Sequence, residues 1–433
     1  MSHVPMTRPD EMLAMFEQAY GHSVSFCRLE DGRILMVADG GEFCVSPDGG
    51  ITWGTPYRGR IAGAEDLPFH NPSLVKLAGK TIGIAFLRRR LQLTNSPLRS
   101  TMVFMTSEDE GHTWSDPVEM NRNLLPAHAC QDSFVRTSSG RLILPVYFEV
   151  GKGTWHQKGS PFVGAYLGGN FISVDAHFFD AHFGASYVLY SDDDGRSWQA
   201  NQDGELLIWQ EPAGAFYPTF EPSVCEVSPG FLLMIMRTSL GRLFQAWSKD
   251  NGQTWCPPVP TQLAGTQAPG QLRRLPNGHL LCVWTQQSEE EIKQGFVRTR
   301  LSSAVSRNRG GIWEFFQNIE SLHEQTRVEP APIRPIRPEG RGSGGLGPGL
   351  ENDARYIVEL PQGYGRWCYP SVLVTEDRVL ISYMRLVNDP KTAESLPPCG
   401  SRLKVLPITW FYGGREPFES PVVAKIAGQV TPP

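Results

Sequence analysis

An eight-residue pattern, S-x-D-x-G-x-T/S-W, recurs along this chain of 433 residues and constrains its fold more than any other feature. Four copies keep the whole pattern, and a fifth keeps its serine, glycine and tryptophan. The copies are SPDGGITW (46–53), SEDEGHTW (107–114), SDDDGRSW (191–198), SKDNGQTW (248–255) and SRNRGGIW (306–313). Self-similarity of this kind indicates an array of supersecondary units, each too small to bury a core alone.

The third copy contains three consecutive aspartates, which by themselves would suggest a calcium loop. Only the aspartate at the third position of the pattern recurs, as Asp48, Asp109, Asp193 and Asp250. Calcium needs several oxygen ligands at fixed spacing, and the sister copies do not provide them. The pattern therefore indicates a turn, in which Ser and Asp bond to the backbone, Gly takes a positive φ and Trp buries its ring between sheets.

A second repeat lies between these octapeptides and consists of an apolar strand, a turn containing Gly or Asp, and another apolar strand. It occurs as VSFCRLEDGRILMVAD, NPSLVKLAGKTIGIAFLRRR, QDSFVRTSSGRLILPVYF, EPSVCEVSPGFLLMIMRT, GQLRRLPNGHLLCVWTQQ and YPSVLVTEDRVLISYMRL. Turn residues with β-rich flanks predict a hairpin for each unit. The 22 Phe, 12 Tyr and 11 Trp, against 44 Gly and 35 Pro, also favour an all-β chain. Six radial four-stranded sheets make a six-bladed β-propeller with a central pocket.

Two segments depart from the regular spacing of this single predicted domain, 1–433. Residues 150–186 are an insertion in blade three, which we expect to lie over one face. Its Asp175, His177, Asp180 and His182 could line the pocket or hold a metal, although their spacing fits no standard ligand motif. Residues 324–355, rich in Pro and Gly, form a long and partly mobile loop between blades five and six. A short helix over 8–20 precedes blade one in this prediction.

Charge and termini narrow the classes of partner. The formal net charge is −5 and the pI is about 6.1, so neither a nucleic acid nor an anionic membrane has electrostatic support as a partner. The N-terminus lacks the pattern of a secretory signal, and no apolar run is long enough to span a membrane, which predicts a cytoplasmic protein. Eight scattered cysteines fit reduced core residues, and we expect no metal and no cofactor.

Together these features make the chain resemble the sialidase (neuraminidase) superfamily, whose members carry the same octapeptide on six-bladed propellers. The resemblance covers nearly the whole length and implies an exo-acting glycoside hydrolase with a glycan or glycoside substrate. Carried over motif by motif, it places the catalytic glutamate at Glu221 and the nucleophilic tyrosine at Tyr369. Two arginines that bind the substrate carboxylate fall on Arg237 and Arg298, with Arg298 preferred to Arg300 by its distance from the octapeptide serine.

The chemistry of the family explains this choice of residues. A sugar with a carboxylate beside its anomeric carbon repels a carboxylate nucleophile, so a neutral tyrosine activated by glutamate attacks instead. Arginines hold the substrate carboxylate by bidentate hydrogen bonds. The resemblance thus implies cleavage of a terminal, acidic sugar with retention of configuration.

The chain departs from the family at two places. Sialidases carry a first arginine in a Phe-Arg-Ile-Pro motif, where this sequence has FHNP and so offers His70 or Asn71. The acid/base aspartate expected after the next strand is also missing, because no acidic residue lies between Phe86 and Phe104. Losing a general acid typically costs about 10²- to 10⁴-fold in rate.

Equivalent strand ends of a propeller converge on its axis, which suggests replacements for the missing residues. We expect Asp132 or Glu149 to act as the acid, and Arg88 or Arg385 to contact the anion. His128 is a further candidate for a substrate contact.

Two other functions stay open on the sequence alone. One is a neighbouring propeller activity that uses carboxylates, namely a glycosidase of neutral sugars or a polysaccharide lyase. The other is a non-catalytic carbohydrate-binding propeller.

Overall fold

The structure is a computed structural model, and its described part is an array of antiparallel sheets. The described residues are 24–61, 69–89, 100–121, 127–152, 164–167, 170–175, 180–266, 268–293, 298–321, 323–336, 365–388, 395–415 and 417. Six sheets follow one another along the chain and are arranged radially as a six-bladed β-propeller. The predicted fold class is confirmed.

Each blade is built from strands in chain order, from the axis outward. Blade 1 contains Ser25–Arg28, Ile34–Val37, Glu42–Ser46 and Tyr57–Arg58; blade 2 contains His70–Lys76, Ile82–Arg89, Ser100–Ser107 and Val118–Glu119. Blade 3 contains Val135–Arg136, Leu142–Lys152, Asp180–Ser191 and Gln199–Ala200; blade 4 contains Phe220–Ser228, Phe231–Arg237, Arg242–Ser248 and Val259–Ala264. Blade 5 contains Gly270–Arg274, Leu280–Thr285, Arg300–Ser306 and Glu314–Ser321; blade 6 contains Gly365–Val374, Arg378–Asn388 and Ser395–Pro407.

Smaller elements join or decorate the blades. They are a hairpin of Trp209–Gln210 with Phe216–Tyr217, a parallel pair of Arg60–Ile61 with Thr113–Trp114, an α-helix at Glu289–Lys293, and 3₁₀ turns at Asn201–Asp203 and Ile408–Tyr412. The parallel pair connects blade 1 to the octapeptide of blade 2. In the described part of the chain, no helix is long and apolar enough to cross a membrane.

The octapeptides form side-chain-locked turns after the third strand of blades 1 to 5. In the first copy, Asp48 accepts hydrogen bonds from Thr52 N–H at 2.8 Å and from the Thr52 hydroxyl at 2.6 Å. The Ser46 hydroxyl accepts from Gly50 N–H at 2.8 Å. The same bonds recur around Asp109, Asp193 and Asp250. The aspartates thus bind their own turn, as the shared position predicts.

The core lies mainly between neighbouring blades rather than inside each blade. Trp198, from the octapeptide of blade 3, packs its ring 5.2 Å from Phe104 of blade 2 and 5.8 Å from Phe134. Gly195 has a φ of +89°, and a Cβ there would lie 2.0 Å from the Phe104 ring. The glycine is therefore required both by the turn and by the close approach of the next blade.

Buried serines connect the innermost strands around the axis. The hydroxyl of Ser25 accepts a hydrogen bond from Leu74 N–H, Ser73 accepts from Ser133 N–H and Ser223 accepts from Leu272 N–H, at 2.9, 2.8 and 3.0 Å. These bonds join blade 1 to 2, blade 2 to 3 and blade 4 to 5. They fix the positions of these innermost strands along the propeller axis. We call the side of the propeller on which the innermost strands begin the site face.

The two irregular segments both extend structure at the site face. Within 150–186, Gly164–Leu167 and Asn170–Asp175 form a hairpin that pairs with Leu142–Lys152 of blade 3. Residues 323–336 run as an extended segment over blades 5 and 4, where Val328 N–H donates to Gln286 at 2.8 Å. Ile336 N–H then donates to the Ser239 carbonyl at 3.2 Å. The predicted helix over 8–20 lies outside the described residues, as do residues 337–364.

Candidate active site

Three blades present a side chain at the site face by the same local device. Asn71, Glu221 and Tyr369 each precede a proline in an innermost strand, and their φ values are 49°, 44° and 53°. The strand pairing skips at each of these positions, which marks a β-bulge. A bulge re-aims the side chain, and a left-handed non-glycine residue is uncommon outside sites with a special geometric demand. Blades 2, 4 and 6 therefore direct these residues to the site face.

Tyr369 and Glu221 meet there although 148 residues separate them. The Tyr369 hydroxyl donates a hydrogen bond to Glu221 Oε1 at 3.1 Å. Arg237 Nη1 donates to the other carboxylate oxygen, Oε2, at 2.6 Å. Glu221 is 2% exposed and Tyr369 is 7% exposed, so both bonds lie in a medium where they are stronger than in water. The arrangement links a phenol, a carboxylate and a guanidinium through two hydrogen bonds.

The electrostatic surroundings keep the Tyr369 hydroxyl protonated. Burial raises the pKa of Tyr369 and the negative charge of Glu221 raises it further, while Arg298 and Arg237 oppose the rise. A phenol with a raised pKa is a poor nucleophile until its proton is removed. Glu221 is the group placed to take that proton.

Arg298 is held over the tyrosine ring by contacts of its backbone N–H and of its guanidinium. Its guanidinium carbon lies 5.0 Å from the Tyr369 ring centroid, and Nη1 donates to Cys368 Sγ at 3.3 Å. Its backbone N–H donates to Gln287 Oε1 at 3.1 Å, and its φ is 61°. Arg300 is directed elsewhere, because it donates to Glu291 at 3.2 and 3.3 Å. Of the two neighbouring arginines, Arg298 is the one beside Tyr369.

The FHNP stretch of blade 2, where the sequence departs from the Phe-Arg-Ile-Pro motif, brings an amide close to a histidine of blade 3. Asn71 Nδ2 lies 2.8 Å from His128 Nε2. The His128 ring stacks on Tyr147, with centroids 5.2 Å apart, and Tyr147 meets the Phe220 ring at 6.1 Å. His70 is 38% exposed and lies 4.0 Å from Asp39. Phe220 directly precedes Glu221, so these contacts connect Asn71 and His128 to the segment that carries Glu221.

Asp132 does not supply its carboxylate to this site, which corrects one of the two acids suggested by the sequence. Its Oδ1 accepts from the Ser25 hydroxyl at 2.9 Å and from Phe26 N–H at 3.2 Å, and its Oδ2 accepts from Val372 N–H at 2.9 Å. Arg273 adds a fourth donor at 2.6 Å. Both oxygens are thereby used to join four blades.

Arg88 is also directed away from the axis, so the expected anion contact at this residue is wrong. Its Nη2 donates to Glu119 in the outermost strand of blade 2 at 2.5 Å. Arg385, the other candidate, lies opposite Trp367 and Gly400 in blade 6. Because its partner Trp367 is two residues from Tyr369 in the innermost strand, Arg385 lies at the site face.

Glu149 lies at the site end of its strand, although its side chain is outside the described part. Its backbone pairs with Gly184 and with Asp175 of the inserted hairpin. A Cβ on Gly184 would lie 1.9 Å from the Phe220 ring, so this sheet edge packs against the residue before Glu221. Among the other residues of the insertion, His177 lies outside the described residues.

Three supporting residues could not be inferred from the sequence. Gln287 holds the backbone of Arg298, Cys368 accepts from its guanidinium, and Tyr147 stacks on His128. Tyr147 sits in an apolar strand, and Cys368 resembles the other scattered cysteines. The seven cysteines whose side chains are described form no disulfide, and among the described residues no group of three or more His, Cys, Asp and Glu side chains could hold a metal ion.

Comparison with known proteins agrees with this fold. The family described as BNR repeat-like domain matches residues 42–381. No curated protein matches the sequence at a significant level.

Solved structures with the same fold include three glycosidases of low sequence identity. A mutant of the NanB sialidase of Streptococcus pneumoniae is 12% identical, with 91% of this chain and 69% of that chain covered and a TM-score of 0.54. The α-L-arabinofuranosidase Arb93A of Fusarium graminearum, a mutant with an iminosugar inhibitor, is 11% identical, with 94% and 97% covered and a TM-score of 0.51.

The third is the Trypanosoma rangeli sialidase in complex with 2,3-difluorosialic acid, a covalent intermediate. It is 14% identical to this chain, with a TM-score of 0.51. The match covers 91% of this chain but only 55% of the trypanosomal chain. On the family match and the six blades, the chain belongs to the BNR repeat-like domain family and has the propeller fold of the sialidase superfamily.

Proposed function

We propose that this protein is an exo-acting glycoside hydrolase of sialidase type, which removes a terminal acidic sugar with retention through a covalent intermediate on Tyr369. The observation that carries the proposal is the hydrogen bond of 3.1 Å from the Tyr369 hydroxyl to Glu221. A buried tyrosine with a carboxylate on its hydroxyl is the arrangement of a nucleophile and its base.

The reaction proceeds in two displacements. As Glu221 takes the hydroxyl proton, the Tyr369 oxygen attacks the anomeric carbon and the bond to the leaving group breaks. Water then attacks the same carbon from the other side, the bond to Tyr369 breaks, and the tyrosine regains its proton from Glu221. Two inversions at one carbon give net retention.

The charges at the site favour an anionic sugar. Arg237 and Arg298 bring two positive charges to the surroundings of Tyr369, and Glu221 brings one negative charge. A carboxylate next to the anomeric carbon would be attracted by Arg298 and would not be repelled by a neutral phenol. A carboxylate nucleophile in place of the phenol would repel the carboxylate of the substrate.

Glu149 remains the candidate for the acid that protonates the leaving group. The Asp132 carboxylate already accepts four hydrogen bonds, which disfavours it as the acid. Glu149 pairs with Gly184 of the neighbouring strand, against which Phe220 packs. Proton donation in the first step and water activation in the second would both fall to this carboxyl group.

Trapping and stereochemistry test the proposal directly. The protein is incubated with 2,3-difluorosialic acid and with a fluorogenic sialoside, and the digested protein is analysed by mass spectrometry. The expected adduct is on the peptide of Tyr369, and proton NMR of the first product shows the configuration of the substrate. Tyr369→Phe should lose at least about 10³-fold in kcat.

Tyr190→Phe is the matched control, because the Tyr190 hydroxyl bonds to Gln199 in blade 3 and lies away from Glu221. It should keep full activity. Inversion at the anomeric carbon, or full activity of Tyr369→Phe, contradicts the proposal. Turnover of neutral arylglycosides alone would instead show a neutral-sugar glycosidase, and a rise in ultraviolet absorbance from an unsaturated uronate would show a lyase. Binding of glycans with no turnover would show a carbohydrate-binding propeller.

A further inference from the structure

Arg298 stands just beyond the paired part of two strands of blade 5. The pairing of Leu280–Thr285 with Arg300–Ser306 continues to Gln286, whose N–H donates to the Arg300 carbonyl at 2.9 Å. Two residues before Arg300, the φ of Arg298 is 61°, so its backbone leaves the extended course of the strand. A non-glycine residue keeps this strained conformation only where its surroundings hold it. The bonds to the backbone of Arg298 therefore matter for where its side chain goes.

That backbone is held from two blades. The Arg298 N–H donates to Gln287 Oε1 of blade 5 at 3.1 Å, so a side-chain amide accepts the bond that a strand partner would otherwise accept. The Arg298 carbonyl accepts from Trp367 N–H of blade 6 at 2.9 Å. Trp367 is followed by Cys368 and Tyr369, and the Arg298 guanidinium contacts both of these residues. Fixing the backbone of Arg298 therefore helps to fix its guanidinium relative to Tyr369.

The end of the second strand of blade 5 presents two adjacent glutamines to opposite sides. Thr285 and Gln287 are two residues apart and face the same side, and the Thr285 hydroxyl donates to the Trp367 carbonyl at 3.1 Å. Gln286 faces the other way and donates to the Ser302 hydroxyl at 3.0 Å, within blade 5. Gln286 is 0% exposed and Gln287 is 1% exposed. Two buried amides next to each other thus bond to different parts of the protein.

We propose that Gln287 is a positioning residue for Arg298, which fixes the left-handed backbone of Arg298 and so holds the guanidinium over the Tyr369 ring, where it meets the carboxylate of the substrate. The carboxylate is that of the acidic sugar, so this inference rests on the proposed function. Gln287 acts through Arg298 and is itself buried. An interaction made equally in the ground state and the transition state changes KM and leaves kcat unchanged. Loss of the Gln287 oxygen should therefore weaken the binding of acidic substrates.

Two substitutions separate the oxygen of Gln287 from the volume of its side chain. Gln287→Met keeps the length but offers only a weakly accepting sulfur to the Arg298 N–H. It should raise KM for a fluorogenic sialoside about fivefold, the typical worth of one hydrogen bond, with little change in kcat. Gln287→Glu keeps both the length and an accepting oxygen, so KM should return to within about twofold of the wild-type value.

Gln286→Met is the matched control, because it removes a buried amide at the neighbouring position and leaves the acceptor of the Arg298 N–H in place. Both methionine variants should lower the melting temperature, but KM should rise in Gln287→Met alone. Arg298→Ala completes a double-mutant cycle. Without a guanidinium to position, Gln287→Met should add nothing to the KM of Arg298→Ala. An equal rise in KM in Gln286→Met, or a further fivefold rise in the Arg298→Ala background, overturns the inference.

Crystal structures of the variants separate this inference from the proposed function, because they require neither substrate nor turnover. In Gln287→Met the Arg298 guanidinium should have left Cys368 Sγ and the Tyr369 ring, and in Gln287→Glu and Gln286→Met it should keep its place. A guanidinium that stays over Tyr369 in Gln287→Met overturns the inference, even if the protein hydrolyses sialosides. A displaced guanidinium in a protein that hydrolyses no glycoside keeps Gln287 as the positioning residue of Arg298 and overturns the hydrolase.

Discussion

Arg273 in blade 5 donates to the Asp132 carboxylate of blade 3 at 2.6 Å, and the same guanidinium bonds to the Val372 carbonyl of blade 6 at 2.7 Å. Asp132 is buried and Arg273 is partly exposed, so removing the carboxylate leaves buried donors of blades 1 and 6 without their acceptor and the guanidinium without its counter-charge. Asp132→Ala should therefore lower the free energy of unfolding by about 3–5 kcal/mol. Urea denaturation followed by tryptophan fluorescence measures it.

The same variant tests whether Asp132 has a structural or a catalytic role. The fraction of Asp132→Ala that remains folded should hydrolyse poor and good leaving groups in the wild-type ratio, because the carboxylate does not reach the site. Replacing both partners, as Asp132→Leu with Arg273→Met, should recover part of the lost stability. Wild-type stability with a selective loss on poor leaving groups would restore Asp132 as the acid.

Arg298 and Arg300 provide a second contrast within one short segment. Arg298→Lys removes the planar guanidinium beside Tyr369 and should raise KM for an acidic substrate about tenfold with little change in kcat or stability. Arg300→Lys disturbs the buried contact with Glu291 and should act mainly on stability. Steady-state kinetics and thermal denaturation of both proteins measure the two effects. Equal KM changes in both variants would show that Arg298 has no special contact with the substrate.

Glu149 can be tested through the leaving group. Glu149→Gln should lower kcat/KM by about 10²- to 10⁴-fold on glycosides with a poor leaving group and have little effect on activated aryl glycosides. A Brønsted plot of rate against leaving-group acidity measures this difference. Glu119→Gln is the control, because Glu119 pairs with Arg88 in the outermost strand of blade 2. An equal loss on all substrates would indicate a structural role for Glu149.

The fold could be predicted because its determinants are local and repeated. Each octapeptide contains both the aspartate and the hydroxyl and N–H groups that it binds, as Asp48 and Thr52 show. Hairpin turns are equally local, so six copies of a weak pattern reinforce one another. Motif positions likewise selected Glu221 and Tyr369, which the structure brings into contact.

The sequence could not predict which charged residues pair with each other across strands and blades. Arg88 and Asp132 were suggested because they stand at equivalent strand ends, but such ends differ in which way a side chain turns. Arg88 turns outward to Glu119, 31 residues away, and Asp132 turns to Arg273, 141 residues away. Contacts between residues so far apart in the chain leave no pattern in a single sequence. The left-handed bulges, in contrast, occur where three adjacent residues read X-Pro-Ser.

The octapeptide aspartates make the free energy of unfolding depend on pH in the acidic range. Burial acts to raise the pKa of Asp48, but hydrogen bonds from the Thr52 hydroxyl and N–H outweigh it, so the pKa lies below its ordinary value; Asp109, Asp193 and Asp250 are shifted in the same direction. A carboxyl group with a lowered pKa stabilises the folded state above its unfolded value, about 3.9, and that contribution is lost as the pH falls through the folded value. Thermal denaturation should show a decline beginning below about pH 5.

The fifth octapeptide isolates this effect, because Asn308 stands where the others have aspartate. Asn308 Oδ1 accepts from Ser306 at 3.0 Å and from Ile312 N–H at 2.7 Å, so Asn308→Asp keeps both bonds and makes their acceptor charged. Charged acceptors bind more strongly, which predicts a gain of about 1 kcal/mol near pH 7. The gain should decrease as the pH falls below about 5 and be nearly lost near pH 2, where the new carboxyl group is protonated in the folded state as well. Urea denaturation at both pH values measures it, and a gain that persists in acid would show that charge is not its cause.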